Sequence, residues 1–388
     1  MSVNTMSFEQ AATLLNAVHS QVTGKTQIAP TDVSGFISVA QKVLQRGYDP
    51  VLNAITQVIG RTIFSIRPYA SKFGGLQMDE LEWGAITRKL VVADKPLEDN
   101  KAYDLVDGQS VDMYEVNKPQ VLELNYYGAM TFSKHYTIFR DQLNNAFRGP
   151  NEFGSFMSMV AQNVLDMITQ TKESCARLAV ANFVAGKITA NNGVIHMLTE
   201  YNTETGESLT ATSVYAPANF PNFIKWAYAR IATLTGLLTE RSEEFQFKVT
   251  GYDINRHTPL DKQKVYIYSD ILNGMDARVL ADAFHNDFLE FADVQPVNYW
   301  QSIEDRMKIE ITPTYLAADG TLTTGTAVTQ DKIMGVIFDE DAVGYTTMNE
   351  FSGVTPFNAR GEYWNQYYNY VLRYHNDFTE KGLVLLLD

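Results

Sequence analysis

One helical pattern constrains this chain more than any other feature. Across residues 152–185, Phe153, Phe156, Met157, Val160, Val164, Met167, Ile168, Cys175, Leu178 and Ala179 recur at the spacing of one helix face. Asn151 is placed to cap the start, and Gly186 to stop the end. At about 1.5 Å per residue such a run makes a rod of ~50 Å. That is long for a globular core, and it predicts a spine on which other elements lean.

The flanking segments read as such elements. Ser7-Phe8-Glu9-Gln10 is a capping box opening a first helix with Gly24 just beyond its end. Thr31 is expected to cap a second helix that stops at Gly47, and Asp49-Pro50 to start a third with proline in its first turn. Helices this short cannot stand alone and must dock. After the rod, a polar stretch (190–217) leads to a helix at 221–238 and a buried strand, KVYIY (264–268). Two short helices follow at 269–273 and 276–284, then an exposed hairpin at 317–330 and strands at 332–338 and 344–348. An aromatic segment ends in an apolar strand at 383–387.

Between the first helices and the spine the pattern becomes extended. Residues 83–92 and 121–127 read as strands, with Leu122, Leu124 and Tyr126 alternating with Val121, Glu123 and Asn125. They bracket ADKPLEDNKAYDLVDGQSVDMYEVNKP (93–119), a polar, charged stretch with turn signals at Asp94-Lys95-Pro96 and Asp107-Gly108 and little apolar material. The expected form is a long hairpin with an elaborate tip. A two-stranded ribbon is marginal in water, so this arm needs another surface, and a neighbouring copy is its natural host.

Composition excludes more than it proposes. The 388 residues carry 31 basic and 45 acidic side chains, a net charge of −14, without the basic stripe a nucleic-acid binder needs for phosphate contacts. Such a surface suits a container whose walls must not trap a polyanion. The single cysteine, Cys175, rules out an internal disulfide or a multi-thiolate metal site and reads as a core residue. No run approaches the ~18 apolar residues of a membrane span. MSVNTMSFEQ lacks the features of a secretory signal, so a cytosolic product is expected.

Catalytic signatures are few. Gly24-Lys25-Thr26 resembles the end of a phosphate-binding loop, but His19 stands where the first glycine is required, and Gly24 is better read as a helix cap. The histidines His19, His135, His196, His257, His285 and His375 lack local zinc-ligand spacing. Asp339, Glu340 and Asp341 could hold a cation or form an acid/base pair, yet acidic turns are usually only solvated. Tyr363, Trp364, Tyr367, Tyr368 and Tyr370 could stack bases or sugars, but with only Arg360 and Arg373 flanking them packing is the preferred role. No catalytic, cofactor-binding or metal residue is assigned, and an enzyme is not expected.

The order of parts resembles the Hong Kong 97-type fold of tailed-phage major capsid proteins. NARGEYWNQYYNYVLRY (358–374), VYIYSDILNGMDARVLADAF (265–284) and HYTIFRDQLNNAF (135–147) are similar to segments of the short-tailed, phi 29-like phages, in the same order. The resemblance implies an α+β fold with an N-terminal helical arm (1–60) and an extended loop with the start of a peripheral domain (61–128). The spine helix and peripheral domain (129–189), an axial domain (190–346) and C-terminal strands returning to the peripheral domain (347–388) would follow. It implies a head protein of the virion that assembles in the host cytoplasm into hexamers and pentamers. The resulting icosahedral or prolate shell would enclose double-stranded DNA without reading its sequence. A separate scaffolding protein, a portal protein and decoration or head-fibre proteins are the implied partners, with no membrane and no cofactor. Candidate inter-subunit residues on the extended loop are Trp83, Arg88, Lys89, Lys95, Asp99, Lys101, Asp104 and Asp107. The alternatives are an encapsulin-like bacterial compartment shell, or a hydrolase or carbohydrate-binding protein using Asp339, Asp341 and the aromatic cluster.

Overall fold

The computed structural model describes residues 7–25, 30–61, 71–78, 87–95, 97, 100, 103–111, 114, 116–126, 128–282 and 293–388. Trp83, Asp99 and Lys101 lie outside them, as does the end of the helix expected at 276–284. Three helices open the chain: α1 (Phe8–Thr23), α2 (Val33–Leu44) and α3 (Tyr48–Arg61). Ser7 and Gln10 form the reciprocal box on α1. Asp32, one residue past the expected Thr31, caps α2 by accepting from the Gly35 amide at 2.8 Å. The hairpin strands β1 (Thr87–Val92) and β2 (Val121–Tyr126) follow, then β3 (Met130–Phe139), α4 (Arg140–Ala146) and the spine α5 (Pro150–Ala190).

The spine is longer than its sequence pattern. Its 41 residues span ~60 Å, with Gly149 at the N-cap and Pro150 in the first turn, so Asn151 is inside the helix. Gly186 does not stop it; the helix ends where Asn191 turns left-handed at φ 47°, ψ 47°. Gly186 serves packing instead, because a Cβ there would lie 2.6 Å from the Phe378 ring and 3.2 Å from the Tyr315 Cβ.

The second half supplies β4 (Val194–His196), α6 (Met197–Thr205), α7 (Phe220–Thr239), β5 (Gln263–Tyr268) and α8 (Ser269–Asp282). Strands β6 (Asp293–Val297), β7 (Ile309–Ile311), β8 (Thr314–Leu316), β9 (Leu322–Thr324), β10 (Val328–Gln330) and β11 (Ile333–Asp339) come next, followed by β12 (Val343–Val354), β13 (Tyr363–Asn376) and β14 (Gly382–Leu386). Where two short helices were expected, α8 is continuous through Gly274, whose missing side chain admits the Phe220 ring; a Cβ there would approach it to 2.8 Å. The expected hairpin at 317–330 is absent: β9 pairs back with β8, and β10 with β7.

Two main sheets organise these strands. The five-stranded sheet runs β4-β14-β11-β5-β6 and the three-stranded sheet β12-β13-β3. In the larger sheet Tyr266, Val336, Phe338, Val384 and Leu386 pack with the second half of α5. Val265, Ile267, Ile337, Leu383 and Leu385 pack with α6, α7 and α8 on the other face. Burial on both sides explains why KVYIY and the last strand read as apolar runs without alternation. A third core joins α1, α2, α3 and α4 to the first half of α5, which is where the N-terminal helices dock.

Candidate assembly surface

The hairpin has two chemically different faces. Its register sets Lys89 opposite Leu124 and Val91 opposite Leu122, so these four share one face. Val91, Leu122 and Leu124 are buried there against the body of the subunit. Leu90, Val92 and Val121 lie on the other face and are exposed. Arg88 is also exposed and meets Glu123 of the same hairpin at 3.6 Å, a solvent-exposed pair of small energetic weight.

Lys89 points into its own subunit. Its Nζ donates to Asp377 Oδ2 and Glu380 Oε1, each at 2.6 Å, and Arg256 approaches Glu380 at 3.3 Å. Asp377 also accepts from the Thr379 amide at 2.9 Å and hydroxyl at 2.6 Å. Burial alone would lower Lys89, but the charges of Asp377 and Glu380 outweigh it and hold the lysine above its ordinary range. Burial likewise works to raise both carboxyls. At Asp377 the charge and hydrogen bonds of Lys89 and Thr379 win, leaving it below the usual range. At Glu380 burial wins and the carboxyl is raised. Beside this cluster His375 packs on the Tyr126 ring at 5.3 Å, and burial pushes its imidazole down to about 4.

A second anchor holds the neck. The Asp94 amide donates to the Asp253 carbonyl at 2.6 Å. Its carboxylate accepts from the Asn255 amide at 2.8 Å and side chain at 3.2 Å, and pairs with Arg241. The Asn255 amide is the main reason this carboxyl lies below its ordinary range. The Ala93 amide donates to the Gln120 carbonyl at 2.9 Å, closing the ladder.

Beyond the neck, Lys95, Asp104 and Asp107 stand exposed. The stretch is richer in apolar side chains than its charge suggests: Leu97, Tyr103, Val106, Tyr114 and Val116 are 67–102% exposed. Single apolar residues on a surface need no explanation, whereas five this exposed within twenty residues make the segment a candidate for association. Sequence reasoning picked the charges and missed these. It also missed Asp94, Arg256, Asp377 and Glu380, which lie far apart in the chain and gave no local signal.

The enzyme alternative loses its geometry. Asp339 accepts from the Asp341 amide at 3.0 Å, and Glu340 pairs with Lys262. This turn adjoins the end of β13 where Asn376 faces Val343, whereas Tyr370 and Tyr363 lie six and thirteen residues back along the strand, ~20 and ~43 Å away. Trp364 is buried and its indole donates to Asp49 of α3 at 2.5 Å, while Tyr367 stacks on His135 at 5.4 Å. Gly24 is the left-handed cap of α1. Among the described residues no cluster of three His, Cys, Asp or Glu side chains could hold a metal, and no helix is long and apolar enough to cross a membrane.

Known proteins resemble the chain as a whole. The capsid structure of Staphylococcus phage Andhra superposes with a TM-score of 0.55 at 12% identity, covering 84% of this chain and 87% of that one. A chain in the structure of the head fibre and inner core protein of native bacteriophage P68 gives 0.54 at 10% identity, with the same coverage of 84% and 87%. At these identities the likeness is one of fold, the Hong Kong 97-like α+β fold of tailed-phage capsids. No curated protein matches the chain. The model of the Phi29-like phage major capsid protein family matches residues 14–380, which leaves the bacterial compartment shell without support. With nearly its whole length matched, the chain belongs to the Phi29-like phage major capsid protein family, and it is a component of the virion shell.

Proposed function

We propose that the subunit works by assembly alone, as a tile whose hairpin arm reaches over an adjacent copy in hexameric and pentameric capsomers around double-stranded DNA. The observation that carries this reading is the contrast within the arm. Its root is fixed to its own subunit by Lys89 and Asp94, while its tip presents unburied apolar side chains. Arg88, Lys95, Asp104 and Asp107, with Trp83, Asp99 and Lys101, would set register on the neighbour, and Lys89 would fix the direction in which the arm leaves. Exposed ion pairs of this kind contribute ~0–1 kcal/mol each, weak enough for misplaced subunits to dissociate during growth. In this reading 1–60 forms an N-terminal arm, 61–128 the extended loop, 129–189 the peripheral domain, 190–346 the axial domain and 347–388 the returning strands. A separate scaffolding protein and a portal complete assembly, and decoration or head-fibre proteins join afterwards.

Negative-stain microscopy of the protein, expressed alone and with the scaffolding protein of the same genome, tests this. Closed particles or hexagonal sheets are expected. A monodisperse monomer under both conditions would overturn it.

A further inference from the structure

The acidic turn at the end of β11 lies over a set of buried oxygens. Asp339 is 8% exposed and ends β11 directly opposite Gln263, the first residue of β5. Cross-strand partners hold their Cβ atoms ~5 Å apart on one face of a sheet. That face is the one α7 covers, since Val265 and Ile337, two residues along each strand, share a core with Leu234 and Leu238. Gln263 is wholly buried, and its amide nitrogen donates to the Thr235 and Thr258 carbonyls, each at 2.9 Å. Those two bonds fix the orientation of the amide. The remaining oxygen, Oε1, is buried with no hydrogen-bond donor among the described residues. Thr258 is also wholly buried, and its hydroxyl faces the Asp339 carboxyl.

The lysines of this region are engaged elsewhere. Lys89 donates to Asp377 and Glu380, Lys262 pairs with Glu340, and Lys381 donates to the Glu240 carbonyl at 2.7 Å and the Ser242 hydroxyl at 2.8 Å. None of them forms an ion pair with Asp339. Burial is the main reason the Asp339 carboxyl lies above its ordinary range, and the charge of Asp341 adds to it. The C-terminal end of α7 also borders the spot: the Leu238 carbonyl accepts from the Thr258 amide at 2.8 Å. A helix end of that sense favours positive charge. We propose that Asp339, Gln263 Oε1 and the Thr258 hydroxyl bind a hard divalent cation of the calcium class, with the exposed Asp341 as a second carboxylate on the solvent side. Such an ion takes oxygen ligands alone, and waters would complete its ~6–8 positions. Only two of these ligands are carboxylates; amide and hydroxyl oxygens supply the rest. The ion would tie the end of α7 to β5 and β11 beside the ionic root of the arm, since the Asp339 amide donates to the Lys381 carbonyl at 3.1 Å, next to Glu380.

Equilibrium dialysis of the wild-type subunit against radiolabelled calcium, after treatment with a chelator and at constant ionic strength, tests this. About one ion per subunit is expected, and the melting temperature should rise by at least ~3 °C in ~5 mM calcium chloride, because the ion binds the folded chain and not the unfolded one. Asp339→Asn keeps the size of the side chain and removes its charge, and should weaken binding at least ~tenfold. If that variant does not fold, Asp341→Asn at its exposed position carries the same test, with a loss of at least ~threefold. A wild-type subunit that binds no calcium would overturn the site, since water would then serve the Gln263 oxygen. Binding left unchanged by the variant tested would place the ion elsewhere and overturn it equally.

Discussion

The five-stranded sheet and the tip of the arm use similar apolar side chains and treat them oppositely. Val336, Ile337, Phe338, Val384 and Leu385 are wholly buried between α5 on one side and α6, α7 and α8 on the other. Leu97, Tyr103, Val106, Tyr114 and Val116 are largely exposed. Each of the former contributes roughly 1.5–3 kcal/mol to folding, and the latter contribute almost nothing to it. Folding therefore completes the body of the subunit and leaves the apolar surface of the arm exposed, the surface that the proposed assembly would bury. The ionic root between them belongs to the body energetically and to the arm geometrically.

Substitutions can break this contrast. The largest expected effect is at Phe338, where truncation to alanine should cost the dispersed subunit ~3–5 kcal/mol in denaturant unfolding. Leu97→Ala should change stability by less than ~0.5 kcal/mol and act only on shell yield. Similar losses at the two sites would mean the arm is part of the folding core. Next comes Lys89→Met, which leaves Asp377 and Glu380 buried without their cation and should cost about 3 kcal/mol. A near-neutral result would show that water or Arg256 serves the carboxylates equally well.

The pH dependence sharpens the role of the root. The folded state holds His375 neutral down to about 4, whereas in the unfolded chain it protonates near its ordinary 6.5. Between those values the unfolded state binds more protons, so stability is fully present above pH 6.5 and falls as the pH drops toward 4, by up to ~3 kcal/mol. Asp377, whose folded carboxyl is lowered, adds a loss in the same direction at still lower pH. His375→Gln should flatten the decline between 6.5 and 4; an unchanged slope would assign it to other groups. Among the anchors of the arm, the smallest effect belongs to Arg241→Ala. It removes a largely exposed partner of Asp94 and should cost less than ~1 kcal/mol in urea titration; a larger loss would mean that Arg241 is the main anchor of the neck.

How much of this was legible in the sequence depended on whether the signal was local. The spine, the capping box on α1, the buried strands β5 and β14 and the two strands of the hairpin follow from periodicity and caps that neighbouring residues carry. Gly186 misled because a glycine that ends a helix and one that admits an aromatic ring look alike until Phe378 is placed against it. Gly274 and Phe220 tell the same story within α8. Strand β3 went unmarked because it is the exposed edge of its sheet, with no buried alternate face to impose a clear pattern. Within the hairpin tip the sequence draws attention to the charges, since frequent carboxylates mask interspersed Leu, Val and Tyr. The partners of Lys89 lie 288 and 291 residues away, beyond any local pattern.

The most direct test of the central claim replaces residues 94–119 by an Asn-Gly turn. The Ala93–Gln120 hydrogen bond already brings the two ends together, and Asn-Gly is suited to close a two-residue hairpin. The shortened subunit should keep the far-ultraviolet circular dichroism of the body, with a urea midpoint lowered only by the loss of the Asp94 contacts, and should form no shells with the scaffolding protein. Normal shells from this variant would contradict the account.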